Sequence, residues 1–430
     1  MMHCITPSLF LRRTYSRAGC LSNMKFIVQL AALAGILTLS SCGSQQPKNL
    51  SASHWVGTWS TGSQLVEPRN LPPEPGLTNN TLRQVVHVSI GGKLLRLRFS
   101  NEFSTQPVTM QSVHIARQTS DSAIDPDSDR QLSFQGKAGV TMAPGTASYS
   151  DTVEFNLPPG SNLSITIYFG QTSADVTGHP GSRTTSFLLP GNALNNVDFA
   201  QAIGTDHWYV ISDVEVAKPT STKAIAVLGD SITDGRGSGT NKQNRWPDEL
   251  AKRLRENPSS RNIAVLNEGI GGNCVLRACL GPAGLDRFER DVLDQAGVRW
   301  LIILEGINDI GQVKGDAQAS QVARDLIAAY EQMIDRAHAK GILVYGATML
   351  PFATSFYDAP ERQDAWRKVN DWIRNSGRFD GVIDLADALK DSQHPTRLLP
   401  LADSGDHLHP SEAGHRLMAE AVDLNLFKND

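Results

Sequence analysis

From Trp55 to about Val216 apolar and polar positions alternate in short runs, and long helical periodicity is missing. Leu82–Ile90 and Lys93–Ser100 alternate on either side of Gly91-Gly92, which predicts a β-hairpin. Further strands are predicted at Ser112–Ala116, Thr152–Asn156, Asn162–Phe169 and His207–Ile211, with Gly, Pro, Asn and Asp between them. This pattern predicts an all-β sandwich, jelly-roll-like, over residues 54–217.

After Lys218-Pro219-Thr220-Ser221-Thr222 the pattern changes. Ala224–Leu228 is a continuous apolar run, as expected of a strand buried on both faces in a parallel sheet. Similar strands are predicted at Ile263–Leu266, Trp300–Leu304, Ile342–Gly346 and Val382–Leu385. Between and after them lie helical stretches: one from Trp246, with Pro247 suited to its first turn, one over about Ala317–Ala339, and one from Glu412 to Val422. Strands alternating with helices over residues 223–430 predict an α/β domain, a doubly wound parallel sheet.

Residues 1–41 read as a leader rather than as fold. Lys25 precedes the apolar run Phe26–Leu39, too short for a comfortable membrane span. The run ends in Leu39-Ser40-Ser41-Cys42, which resembles a bacterial lipobox with Cys42 as the lipidated first residue of the mature protein. Plain secretion with an ordinary cleavage site is the alternative. Met24 is a better start than Met1, and Arg12-Arg13 sits at poor spacing for twin-arginine export. Residues 42–53 are mostly polar and read as a tether. The expected location is therefore the cell envelope, periplasm-facing or on the cell surface, or the medium, with membrane contact only through the N-terminal lipid. A net charge of -4 without a Lys/Arg-rich block in the mature region argues against a nucleic-acid partner.

Of five cysteines, Cys4 and Cys20 fall in the leader and Cys42 is assigned to lipid. Cys274 and Cys279 remain, as a loop-stapling disulfide or as two free thiols; an oxidising compartment favours the bridge. No second Cys/His pair lies near them at zinc-ligand spacing.

The chemistry concentrates in four segments of the second half: Gly229-Asp230-Ser231-Ile232, Asn267–Asn273, Gly306-Ile307-Asn308-Asp309 and Asp406-His407-Leu408-His409. Ser231 directly follows a buried strand, where open α/β sheets place reactive groups. In order and spacing the segments resemble the signature blocks of the SGNH (GDSL) hydrolase family, over about Ala224 to the C-terminus. The Gly-x-Ser-x-Gly elbow of α/β-hydrolases is absent around Ser231. The upstream half beginning Trp55-Val56-Gly57-Thr58-Trp59 also resembles that of bacterial two-domain members, some of which act on xylan.

The resemblance implies Ser231 as nucleophile, His409 as general base and Asp406 as the carboxylate that orients it. It implies an oxyanion hole from the backbone N–H groups of Ser231 and Gly272 and the Asn308 amide. His407 is the rival base; it adjoins Asp406 and is harder to aim back at it. Asp234 and Asp309 are expected to brace loops, His415 to be structural, and Gly235, Gly237 and Gly239 to form a flexible loop near the site. A Cys274–Cys279 bridge would stiffen the loop that carries Gly272; reductant is then expected to lower kcat and thermal stability.

The implied activity is that of a serine esterase on short acyl esters, acetyl foremost, with cell-wall polysaccharide as the expected substrate and no metal or organic cofactor. Two alternatives stand beside it. One is a lipase or lysophospholipase, although no extended apolar lid follows the blocks. The other is a carbohydrate-binding surface lipoprotein with a vestigial hydrolase half, in which Trp55, Trp59 and Trp208 would be sugar-stacking aromatics rather than core.

Overall fold

Alternating β-branched and aromatic residues build two antiparallel sheets in the first half of the chain. The computed structural model describes residues 53–428, so the segment 1–41 expected to be a leader, and Cys42, lie outside the described residues. One sheet has five strands: Ser53–Ser60, Ile211–Pro219, Gly92–Asn101 and Val153–Leu157 in that order, with Thr146–Tyr149 also paired to Gly92–Asn101. The other has eight and is centred on Asn80–His87, Asn162–Phe169 and Val108–Ser120. Leu95, Leu97 and Val214 from the first share one core with Leu82, Val113 and Ile165 from the second.

Two expected features of this half differ. The runs flanking Gly91-Gly92 are not a hairpin: Asn80–His87 and Gly92–Asn101 belong to different sheets. At the crossing the Gly91 Cα packs on backbone, and a Cβ there would sit 2.2 Å from the Leu157 carbonyl oxygen. The strand expected over His207–Ile211 breaks at Val210, whose φ of 68° no extended residue adopts. Trp208–Tyr209 instead joins Thr177–His179 and Gln64–Leu65 in a small sheet of its own.

The second half holds a five-stranded parallel sheet in the order Ile263–Gly269, Lys223–Gly229, Val298–Leu304, Leu343–Ala347, Gly381–Ile383. Numbered along the chain this is 2-1-3-4-5, and the strand order reverses beside Lys223–Gly229, where such folds open a crevice. Helices Trp246–Glu256, Gly315–Ala339, Pro360–Asn375 and Glu412–Glu420 accompany it. The last strand is shorter than the run Val382–Leu385 suggested, because the Asp384 carboxylate accepts the Asp387 N–H and starts a helix at Leu385.

The two halves share a seam. Ala224, Ala264 and Leu266 of the parallel sheet belong to the core of the β half. The strand Ser53–Ser60 leads into Thr61, which bridges Asn267 in parallel, and the Gly57 N–H donates to the Ala296 carbonyl at 2.8 Å. Trp59 and Trp208 are buried there at 6% and 3% exposure, with rings 4.9 Å apart and nearly perpendicular. They are core residues, which removes them as sugar platforms. The Arg96 guanidinium covers Trp55, 4.6 Å from its ring centre.

Candidate active site

Ser231 opens the four-residue helix Ser231–Asp234 at the carboxyl end of strand Lys223–Gly229. The Asp230 carboxylate caps this helix by accepting the Ile232 N–H at 3.0 Å. Gly235, with φ of 109°, ends it in the left-handed region. Ser231 is buried to 8% exposure, and its Oγ lies 2.8 Å from His409 Nε2.

His409 and Asp406 sit on a loop that builds itself from nested aspartate turns. Asp403 Oδ1 accepts the N–H groups of Gly405 and His407, and Asp406 Oδ1 accepts those of Leu408 and His409. The other Asp406 oxygen lies 2.7 Å from His409 Nδ1. The carboxylate therefore accepts a hydrogen bond from Nδ1–H and leaves Nε2 to accept from the serine hydroxyl. His407 sits in the left-handed region at φ 61° and turns its ring to Asp403, 2.5 Å away, not to Asp406.

Partial burial works against the Asp406 charge. The N–H groups of His409 and Leu408 and the imidazole itself outweigh it and hold the carboxyl down at about 2. Burial lowers the His409 imidazole below its ordinary value; Asp406 pulls it back up, and Arg236 and Arg183 push it down. Both groups thus favour the folded state most at neutral pH. The His409 contribution fades as pH falls below the unfolded imidazole value of about 6.5, and the Asp406 contribution fades from about 3.9 downward.

Gly272 and Asn308 line the same cleft as Ser231 and His409. Gly272 has φ of 71°, and a Cβ there would meet the Leu280 side chain at 2.8 Å. Asn308 Nδ2 donates one proton to the Asn273 carbonyl at 2.8 Å, and its Oδ1 lies 3.0 Å from the Tyr357 hydroxyl. That pairing fixes which end of the amide is nitrogen and leaves its second N–H for a ligand. Tyr357→Phe is expected to lower kcat on p-nitrophenyl acetate about 3- to 10-fold with little change in KM, since one neutral hydrogen bond is lost. An unchanged kcat would show that Tyr357 does not hold the amide.

The Gly272 loop is pinned from several sides. Cys274 and Cys279 are joined by a disulfide. The Asp309 carboxylate accepts the N–H groups of Val275 and Leu276, at 2.8 and 3.1 Å. Asn273 Nδ2 donates to the carbonyls of Leu280 and Pro282.

Beneath the site lies a residue that the sequence reading did not single out. Arg287 is 1% exposed and donates four hydrogen bonds in the layer beneath the strand ends. It donates to the carbonyls of Gly229 and Glu268, at 2.9 and 2.6 Å, to Asn273 Oδ1 at 2.9 Å and to Asp291 at 3.0 Å, and it lies 3.5 Å from Glu305. Around it, burial pushes Glu305 up to about 7 and Asp230 up to about 8, while Glu268, also raised by burial, accepts the Ser60 hydroxyl. A carboxyl directly after an apolar strand, as Glu305 is, was the available signal.

The β half supplies a second brace. His179 Nε2 lies 2.9 Å from Asp234 Oδ1, and Nδ1 lies 2.8 Å from the Gly62 carbonyl. Through these two contacts the ring ties the Ser231 helix to the β half. His415 is buried in the same region; its Nδ1 accepts the Trp246 N–H and its Nε2 meets the Arg236 carbonyl. Burial drops it to about 4 and keeps it neutral.

The cleft over Ser231 has a volume of about 480 Å³. One wall carries Gly272, Leu280, Asn308, Phe356 and Tyr357; the other is β-half material, with Arg69, Asn70, Pro180, Arg183 and His207. Hydroxyl, imidazole and carboxylate in hydrogen-bonded series at its floor can move a proton from Oγ to Nε2.

Residues 227–417 match the model of the GDSL-like Lipase/Acylhydrolase family. The acetylxylan esterase of Geobacillus stearothermophilus is 27% identical over 226 residues, which span 47% of this chain and 92% of that protein. Among solved structures, a catalytic mutant of an acetylxylan esterase from Geobacillus stearothermophilus is 21% identical, with 48% of this chain and 95% of that one covered at a TM-score of 0.37. A GDSL-like lipase from Bacteroides thetaiotaomicron is 17% identical, with 49% and 90% covered at a TM-score of 0.35.

Proposed function

We propose, from the premise that residues 227–417 form a GDSL-like lipase/acylhydrolase domain and that the chain is an ester hydrolase, that it is a serine esterase releasing short acyl groups, acetyl foremost, from polysaccharide. The observation that carries this reading is the series Ser231 Oγ, His409 Nε2, His409 Nδ1, Asp406 Oδ2, closed at 2.8 and 2.7 Å on the cleft floor.

Ser231 Oγ attacks the ester carbonyl carbon while His409 Nε2 takes the hydroxyl proton. Asp406 stays charged and steadies the imidazolium. The carbonyl oxygen becomes an oxyanion and accepts from the N–H groups of Ser231 and Gly272 and from Asn308 Nδ2. As the oxyanion collapses, the bond to the alcohol oxygen breaks and His409 returns its proton to that oxygen. Water, deprotonated by the same imidazole, then attacks the acyl-serine; acid leaves and Ser231 regains its proton.

Activity is expected to need neutral His409. On p-nitrophenyl acetate, kcat/KM is expected to rise with pH through one ionisation below the ordinary imidazole value and then stay level, because Asp406 at about 2 remains charged throughout. An apparent pKa of about 7 or above would contradict the assignment.

The polar cleft and the acetylxylan esterase relative support an acetylated carbohydrate as substrate. The two antiparallel sheets over one core are read as a β-sandwich of jelly-roll type, and it forms one cleft wall. The leader pattern supports export with a lipid at Cys42. Acetate release from acetylated xylan, pectin and chitin fragments, set beside an acyl-chain-length series of p-nitrophenyl esters, tests the reading. Preference for acetyl over octanoyl with acetate released from a polysaccharide is expected; preference for long chains would favour the lipase alternative.

A further inference from the structure

Three guanidinium groups line the cleft above Ser231: Arg69, Arg183 and Arg236. Arg69 shares its wall with Glu67, whose carboxylate accepts from Gln64 and Asn70 at 2.9 and 3.0 Å. Arg183 and Arg236 have no such neighbour to spare. Among the described residues Arg183 makes no side-chain hydrogen bond or ion pair, and its Nε is buried without a partner. Arg236 has one distant ion pair, 3.9 Å to Asp406, and its side chain is 60% exposed. Asp406 is already committed to His409 and to two backbone N–H groups.

Both backbones are held. The Arg236 N–H donates to the Ser231 carbonyl at 2.8 Å, and its own carbonyl meets the buried His415 ring. Arg183 sits in the left-handed region at φ 49°, and its carbonyl accepts the Asn241 N–H at 2.9 Å. A non-glycine residue in that region has a conformational cost, and such sites cluster where a side chain must be aimed. An unpaired guanidinium so held presents a planar fork of donors that fits a carboxylate.

Which part of the ester they face follows from the chemistry. His409 hands its proton to the departing alcohol oxygen, so the alcohol lies beside Nε2. Arg236 lies 3.9 Å from Asp406, the partner of His409, and both arginines line the same cleft as the imidazole. Their anion therefore belongs to the alcohol and not to the acyl group. We infer that Arg183 and Arg236 form a subsite for a carboxylate on the alcohol side of the scissile ester, so that the preferred substrate is an O-acetylated saccharide bearing a uronic acid. This deepens the esterase reading above and rests on it.

The test compares kcat/KM for an O-acetylated methyl glucuronoside, the matching O-acetylated methyl glucoside and acetylglycerol phosphate. The wild type is expected to favour the uronate over the neutral sugar about 10-fold or more, as charge-assisted hydrogen bonds allow. Added salt should compress that ratio. Arg183→Gln and Arg236→Gln should each lower the uronate-to-neutral ratio several-fold, and the exposed position of Arg236 keeps at least one variant folded. Free glucuronate should inhibit wild-type p-nitrophenyl acetate hydrolysis competitively where glucose does not. A ratio near unity in the wild type, or an unchanged ratio in both variants, overturns the subsite and leaves the esterase standing. Preference for the phosphate ester overturns it in favour of a phosphate-bearing alcohol. No hydrolysis of any of these esters, p-nitrophenyl acetate included, sinks both readings together.

Discussion

Ser231→Ala is expected to cut kcat on p-nitrophenyl acetate by about 10⁴-fold or more, with KM little changed. The hydroxyl is both the attacking atom and the donor to His409 Nε2, so its loss removes the covalent route while the cleft and the oxyanion donors stay. The substitution removes one buried oxygen and leaves Nε2 able to accept from water, so the fold should tolerate it. His409→Ala should cost a similar factor, and the double variant no more than either alone, because the two act as one unit. Equal rates for Ser231→Ala and wild type would remove the enzyme mechanism altogether; additive losses would separate serine from histidine.

The largest effect on stability is expected at Arg287. Arg287→Ala removes four hydrogen bonds at once and leaves two strand-end carbonyls, Asn273 Oδ1 and Asp291 without their donor and Glu305 without its ion-pair partner, all buried around an empty guanidinium site. Breaking a buried pair by removing one partner costs about 3–5 kcal/mol. The cost should appear as a fall in thermal midpoint of several degrees or more, and as loss of kcat even where the variant is still folded, because Asn273 holds the Asn308 amide. Arg287→Lys should recover only part of it, since a single ammonium cannot reproduce the guanidinium fork across four acceptors. A midpoint within about 1 °C of wild type for Arg287→Ala would show that the carboxyls, not the guanidinium, organise this layer.

Much of this was legible in the chain. The parallel strands announce themselves as apolar runs because both of their faces are covered. The reactive segments are legible because each follows such a run or carries its own turn chemistry, as Asp406 does before His409. Arg287 left no such mark. It sits in a short helix, Gly284–Phe288, and its partners at Gly229 and Glu268 lie 58 and 19 residues away, so only the assembled sheet shows what it holds. His179 is similar: it belongs to a three-residue strand, and its partner Asp234 is 55 residues downstream. The hairpin expectation at Gly91-Gly92 failed for a related reason. Alternation shows that two strands exist, while the tight backbone contact at Gly91 decides that they cross between layers.

The seam between Ser53–Ser60 and the edge strand Ile263–Gly269 has a consequence for how such a protein can change. Leu266 and Ala264 are filled in by side chains from the other half, and Val265 N–H reaches the Ser89 hydroxyl across the junction. An unrelated module grafted in place of the first half would uncover an apolar ribbon and strip one bank from the groove above Ser231. Variation in what the molecule accepts therefore has to come from substitutions along that bank, one side chain at a time, and not from shuffling whole modules.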